Sequence, residues 1–66
     1  MEEFIGKKVR VMYLWDGEEY NYSGTATKVE GHLLHLKDVY DPLTDTAKKL
    51  VVVNTKAPNF VRIETV

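Results

Sequence analysis

Branched and aromatic residues alternate with polar ones along most of this chain, and short Gly- or Pro-bearing steps break the alternation. Between Val9 and Lys37, strand-like runs are divided by Asp16-Gly17 and Glu30-Gly31. Acid-Gly pairs in that setting predict tight hairpins, because Gly accepts the positive φ that primed turns demand. Lys8 to Trp15 reads as the first full strand, with Val9, Val11, Tyr13 and Trp15 on one face and Met12 and Leu14 on the other. Apolar side chains on both faces predict a strand covered twice. Glu19 to Val29 follows, interrupted by Ser23-Gly24, where a mid-strand Gly predicts a bulge or a sharp corner.

A third strand is expected over His32 to Val39, then a polar loop over Tyr40 to Thr46 with Asp41-Pro42 at its start. Lys49 to Asn54 carries Leu50-Val51-Val52-Val53, a continuous apolar run of the kind found in buried strands. Lys56 to Asn59 reads as a turn, and Phe60 to Thr65 as the last strand. Glu2 to Gly6 is long enough for one helical turn only. These elements predict an all-β fold: one domain over residues 1–66, a small, strongly bent, five-stranded antiparallel barrel with a short N-terminal helical turn.

Composition narrows what such a domain can be. A chain of 66 residues buries only about 60% of its unfolded surface, so its core is thin and association would help it. It has no cysteine, which removes disulfide and thiolate-metal staples. Nine Lys plus Arg against ten Asp plus Glu leave a net charge of −1, so attraction to a phosphate backbone has to be local. The acidic start Met1-Glu2-Glu3-Phe4 lacks the apolar core of a signal or a membrane span. The expectation is a soluble, cytoplasmic protein without a membrane partner.

Ile5-Gly6-Lys7-Lys8-Val9-Arg10-Val11, then Leu14, Asp16-Gly17 and Gly24-Thr25-Ala26-Thr27-Lys28-Val29-Glu30-Gly31-His32-Leu33, resembles the first signature of the Sm-like family. Thr55-Lys56-Ala57-Pro58-Asn59-Phe60-Val61-Arg62-Ile63 echoes that family's second signature. The resemblance implies a bent five-stranded barrel whose last two strands pair across subunits into a homo-oligomeric ring. It thereby implies an interface through Val51, Val52 and Val53 with Phe60, Val61 and Ile63. It also implies a single-stranded RNA site made by the loop after the second strand and the loop before the fifth, here Glu30 and His32 with Lys56 and the neighbouring Asn59. Leu34 stands where the family has a uracil-reading Asn, Lys56 replaces Arg, and Ala57 replaces Gly. The implied contact is therefore a stacking His with a point charge rather than uridine readout.

Other chemistry is sparse. His32 and His35 are three apart in an extended run, so alternation predicts opposite faces and no shared metal. Asp41 and Asp45 flank Thr44 at a spacing that matches no calcium loop. There is no nucleophile elbow, no metalloprotease motif and no phosphate-cradling Gly loop, so neither catalysis nor a cofactor is expected. Lys7, Lys8, Arg10, Lys48, Lys49 and Lys56 are dispersed among acids and predict a solvated surface. The aromatic set Tyr13, Trp15, Tyr20, Tyr22 and Tyr40 opens an alternative: an SH3-like protein-interaction module that uses Trp15 with Tyr20 or Tyr22 as a peptide groove. A purely structural assembly domain without a ligand is the third reading.

Overall fold

A computed structural model describes all residues, Met1 to Val66. A 3₁₀ turn over Glu2–Phe4 leads into five strands: β1 (Lys8–Trp15), β2 (Glu18–Glu30), β3 (Leu33–Asp41), β4 (Thr46–Asn54) and β5 (Phe60–Thr65). They form one antiparallel sheet in the order β4-β3-β2-β1-β5. The expected five strands and the N-terminal turn are present. The barrel does not close, because no pairing joins β4 to β5 and both strands keep a free edge.

Local chemistry explains the connections. At Asp16 and Gly17 φ is 52° and 78°, so both central residues of the β1–β2 turn are left-handed, as a type I′ turn requires. The next turn is shifted by one residue from the acid-Gly pair: Glu30 pairs with Leu33, and the loop is Gly31-His32. Between β3 and β4 the expected loop is shorter than its sequence suggests. Tyr40 pairs with Ala47 and Asp41 with Thr46, leaving only residues 42–45 to turn. That turn is held by its own polar groups: the Leu43 N–H donates to Asp41 Oδ1, and the Tyr40 hydroxyl donates to Asp45 Oδ1.

The sheet bends where β2 and β3 slip register, between Ser23 and Thr25 and again between Ala26 and Lys28. Asp38, opposite the first slip, has a left-handed φ of 52°. The bend folds one face of the sheet onto itself around Val9, Val11, Ala26, Leu34, Leu36, Val39 and Val53. Met1 and Phe4 of the N-terminal segment pack against this cluster, as do Tyr22, Val29, Val51, Phe60 and Ile63. Only nine residues of the chain are buried, so the core is as thin as the length implies.

Two burial expectations need correction. Leu50-Val51-Val52-Val53 is not a buried run: Val53 is buried and Val51 half-buried, but Leu50 is 76% and Val52 52% exposed. β4 is an edge strand with no second layer over its outer face, so alternation sends these two side chains to solvent. β1 is covered twice only at Met12, since Leu14 and Trp15 are exposed. No helix is long and apolar enough to cross a membrane.

Candidate functional site

The residues expected to meet RNA come from two turns at the same end of the sheet. Gly31-His32 closes the β2–β3 hairpin, and residues 55–59 join β4 to β5. Thr55 ties the two together, because its N–H and its hydroxyl both donate to the His32 carbonyl, at 3.0 and 2.8 Å. The β4–β5 connection is braced internally as well: the Lys56 N–H donates to Asn54 Oδ1, the Ala57 N–H to the Asn54 carbonyl, and the Phe60 N–H to the Ala57 carbonyl. Two loops that would otherwise move separately are fixed to each other.

This brings His32 and Lys56, both exposed, to the rim of one open hollow of about 1010 Å³. Its floor is apolar, with Phe4, Val29, Phe60 and Ile63, and Arg62 adds a second permanent cation to the wall. His32 lies in the turn rather than in β3, which explains how it stays exposed while Leu34 and Leu36 are completely buried. Leu34 belongs to the core, so nothing at that position can read a base edge.

The other two expected contacts are elsewhere. The Glu30 carboxylate turns back along the sheet, 3.4 Å from Lys28 Nζ and 2.8 Å from His35 Nε2. The His35 Nε2 is shielded from water, with the Glu30 carboxylate oxygen 2.8 Å away. Lys28 foremost, and His35 after it, hold the Glu30 carboxyl below its ordinary range. Asn59 faces β1: its carbonyl accepts from the Leu14 N–H at 2.7 Å, and the residue lines a smaller hollow with Tyr13, Tyr22 and Phe60. Of the four residues, His32 and Lys56 line the same hollow; Glu30 and Asn59 do not.

No protein-family model, curated protein or solved structure matches this chain. Its possible activities therefore follow from its own surfaces. No three His, Asp or Glu side chains converge into a set that could hold a metal ion. His32 lies in the β2–β3 turn, whereas His35 lies in β3 with its Nε2 against Glu30.

The expected interface residues straddle the open seam. Val53 points into the core, Val51, Phe60, Val61 and Ile63 are half-buried, and Val52 is exposed beside Leu50. Two contributors escaped the sequence reading. Thr55 was silent because its hydroxyl acts on a carbonyl 23 residues away. Arg62 carries no signal of its own in an alternating strand, since its ion pairs with Glu19 (3.5 Å) and Glu64 (3.8 Å) are made across the sheet and along β5.

Proposed function

We propose that this chain is a non-catalytic, Sm-like assembly module that forms a homo-oligomeric ring through β4 and β5 and binds single-stranded RNA weakly at the His32–Lys56 rim. The observation that carries the proposal is the pair of free edges at the two ends of one strongly bent sheet. An edge strand exposes unpaired N–H and C=O groups, and β4 adds the apolar side chains of Leu50 and Val52. Joining β4 of one copy to β5 of the next is a heterologous contact, which closes into a ring if the rotation allows. It would also supply buried area to a protomer with so little core.

Support for the RNA half of the reading is local charge and a flat partner for bases. Lys56 is exposed and free of ion pairs, His32 can stack, and Arg62 lines the same hollow. With Leu34 buried, the position at which the Sm-like family reads uracil offers no donor or acceptor to a base.

Light scattering at several concentrations tests assembly, and titration of labelled oligo(A) and oligo(U) at about 50 and about 200 mM salt tests the rim. The expected result is a fixed multimeric mass, similar affinity for the two oligomers, and binding that falls with salt by about 0.7 log unit per log unit for each phosphate neutralised. Lys56→Glu is expected to abolish RNA binding while leaving the mass unchanged. A monomer at every concentration overturns the ring, and undiminished RNA binding by the Lys56→Glu protein overturns the rim.

A further inference from the structure

A different surface lies at the far end of the β1–β2 hairpin; it borders the β4–β5 seam at Val53 and Phe60 and otherwise lies outside the ring interface and the RNA rim. The register pairs Val11 with Tyr22, Tyr13 with Tyr20, and Trp15 with Glu18. Alternation puts all six side chains on the face that, further along, forms the core. The core ends at Val11, and the sheet continues past it as an aromatic face. The Tyr13 ring is central, with its centroid 6.0 Å from Tyr20 and 5.6 Å from Tyr22, at interplanar angles of 35° and 48°. Rings tilted in this way form walls rather than a flat stack. Trp15 stands beyond them, 66% exposed.

Next to these walls is the smaller hollow of about 250 Å³, lined by Tyr13, Tyr22, Phe60, Asn54 and Asn59 over a floor that includes Val53. That is below the usual 300–1,000 Å³ of small-molecule sites and suits the insertion of one side chain.

Charge decides which kind. No Lys or Arg occurs anywhere from Val11 to Thr27, whereas Asp16, Glu18 and Glu19 do. Glu18 is on the aromatic face and accepts a hydrogen bond from the Tyr20 hydroxyl at 2.9 Å. Asp41 approaches from β3: it shares a second small hollow with Tyr22 and raises the Tyr13 and Tyr22 hydroxyl pKa values, an effect secondary to that of burial. The hydroxyls of Tyr20 and Tyr40 are committed to Glu18 and Asp45, but those of Tyr13 and Tyr22 have no partner in the chain. Two cations lie in the neighbourhood. Arg62 is paired with Glu19 and Glu64 and does not line this hollow, and Lys48 lines the second hollow with Asp41 and makes no ion pair with it. Electron-rich ring faces bordered by carboxylates attract poorly hydrated organic cations.

We infer that this face is a docking surface for a cationic side chain of a partner polypeptide, a guanidinium or a methylated ammonium, seated against Tyr13, Tyr22 and Phe60. Trp15 forms the outer wall, and Glu18 and Asp41 supply the counter-charge. The inference does not rest on the assembly proposal: Tyr13, Trp15, Tyr22, Glu18 and Asp41 belong to neither the ring interface nor the RNA rim, and only Phe60 and the floor residue Val53 are shared with the seam.

The test is a titration of the isotope-labelled chain with a short Gly-flanked arginine peptide, its trimethyllysine counterpart and its citrulline counterpart. Ring resonances of Tyr13, Tyr22 and Trp15 and the Trp15 fluorescence are followed. The arginine and trimethyllysine peptides are expected to shift these signals saturably, and citrulline, which has the shape without the charge, to bind at least about tenfold more weakly. Trp15→Ala and Asp41→Asn are each expected to weaken the arginine peptide at least about threefold, with circular dichroism confirming that both variants fold. Equal binding of citrulline, ring signals that do not move, or undiminished affinity in both variants would overturn the inference. Loss of the ring signals' response because a second copy's lysines already fill the face, seen as a concentration-dependent mass that Trp15→Ala abolishes, would overturn it too.

Discussion

Gly24 and Val39 meet at the corner of the sheet with no room between them: a Cβ placed on Gly24 would lie 2.8 Å from Val39 Cγ2 and 3.0 Å from the Lys37 carbonyl oxygen. Val39 is β-branched and buried, so its Cγ2 has little freedom to yield, the Lys37 carbonyl is backbone, and Leu36 Cβ stands 3.4 Å off on a third side. Gly24→Ala is therefore expected to destabilise the fold by about 1–3 kcal/mol through overpacking, less the about 0.4–1 kcal/mol that Ala returns by stiffening the unfolded chain. Urea midpoints measure the loss. In the double variant with Val39→Ala, the two costs should fall short of adding, because the methyl that collides has been removed.

Leu34 and Leu50 are the same residue in opposite settings, one completely buried and one 76% exposed. Leu34→Ala is expected to cost about 2–5 kcal/mol. For a chain of this length the total stability is about 3–10 kcal/mol, so the variant should be close to unfolding at room temperature. Leu50→Ala is expected to change stability by no more than about 0.5 kcal/mol in dilute solution. Denaturation of the two variants side by side checks the pair, and a large cost at Leu50 in a monomer would contradict the orientation of β4.

Much of this fold is legible in the residues themselves. Val9 and Val11 alternate with Lys8 and Arg10, so the core face of β1 can be read by period alone; in β3, Leu33, Leu34 and Leu36 leave the phase open, and it is the fold that sets Leu34 and Leu36 inward. Asp16-Gly17 announces the first turn because few residue types tolerate its left-handed backbone, and Gly24 announces the corner because a side chain there has no room. Asp38 announces nothing, although its left-handed φ completes the same corner from β3, since an Asp in a strand-like run carries no unique signal. Leu50 and Val52 mislead for a different reason: a run of apolar residues says that burial is favourable, not that a covering layer exists. At the candidate rim, His32 and Lys56 could be named from a signature, but what joins them is a Thr55 hydroxyl on a backbone carbonyl. Asn59 and Glu30 lie away from the rim because closeness in sequence to a loop does not fix which side of the sheet a side chain takes.

The Glu30 cluster gives a pH prediction with a definite sign. Lys28, then His35, lowers the folded-state pKa of Glu30, so the unfolded chain binds its proton more readily than the folded one. The resulting stabilisation is present above the unfolded value of about 4.3 and is lost as the pH falls through the lower folded value. Because the pair is exposed, the contribution is small and salt-sensitive. Glu30→Gln is expected to lower the urea midpoint slightly at pH 7, with the gap to the parent chain closing as the pH drops below about 4.3 and also closing at about 1 M salt. A gap independent of pH would mean that Glu30 acts through packing or turn geometry instead of charge.

The ridge of Leu50 and Val52 separates folding from assembly. Both side chains leave the protomer's own core untouched, so replacing both with Lys is expected to shift the monomer's stability by only about 1 kcal/mol or less, taking each surface site at about 0.5. At an edge strand, however, a pair of lysines opposes strand addition by charge and by the cost of desolvating each ammonium. If β4 receives β5 of the next copy, Leu50→Lys with Val52→Lys should convert a multimer into a folded monomer, seen as a drop in light-scattering mass with an unchanged circular dichroism spectrum. Retention of the multimeric mass would move the interface off β4, since no strand could dock beside two buried ammonium groups without a large loss of affinity.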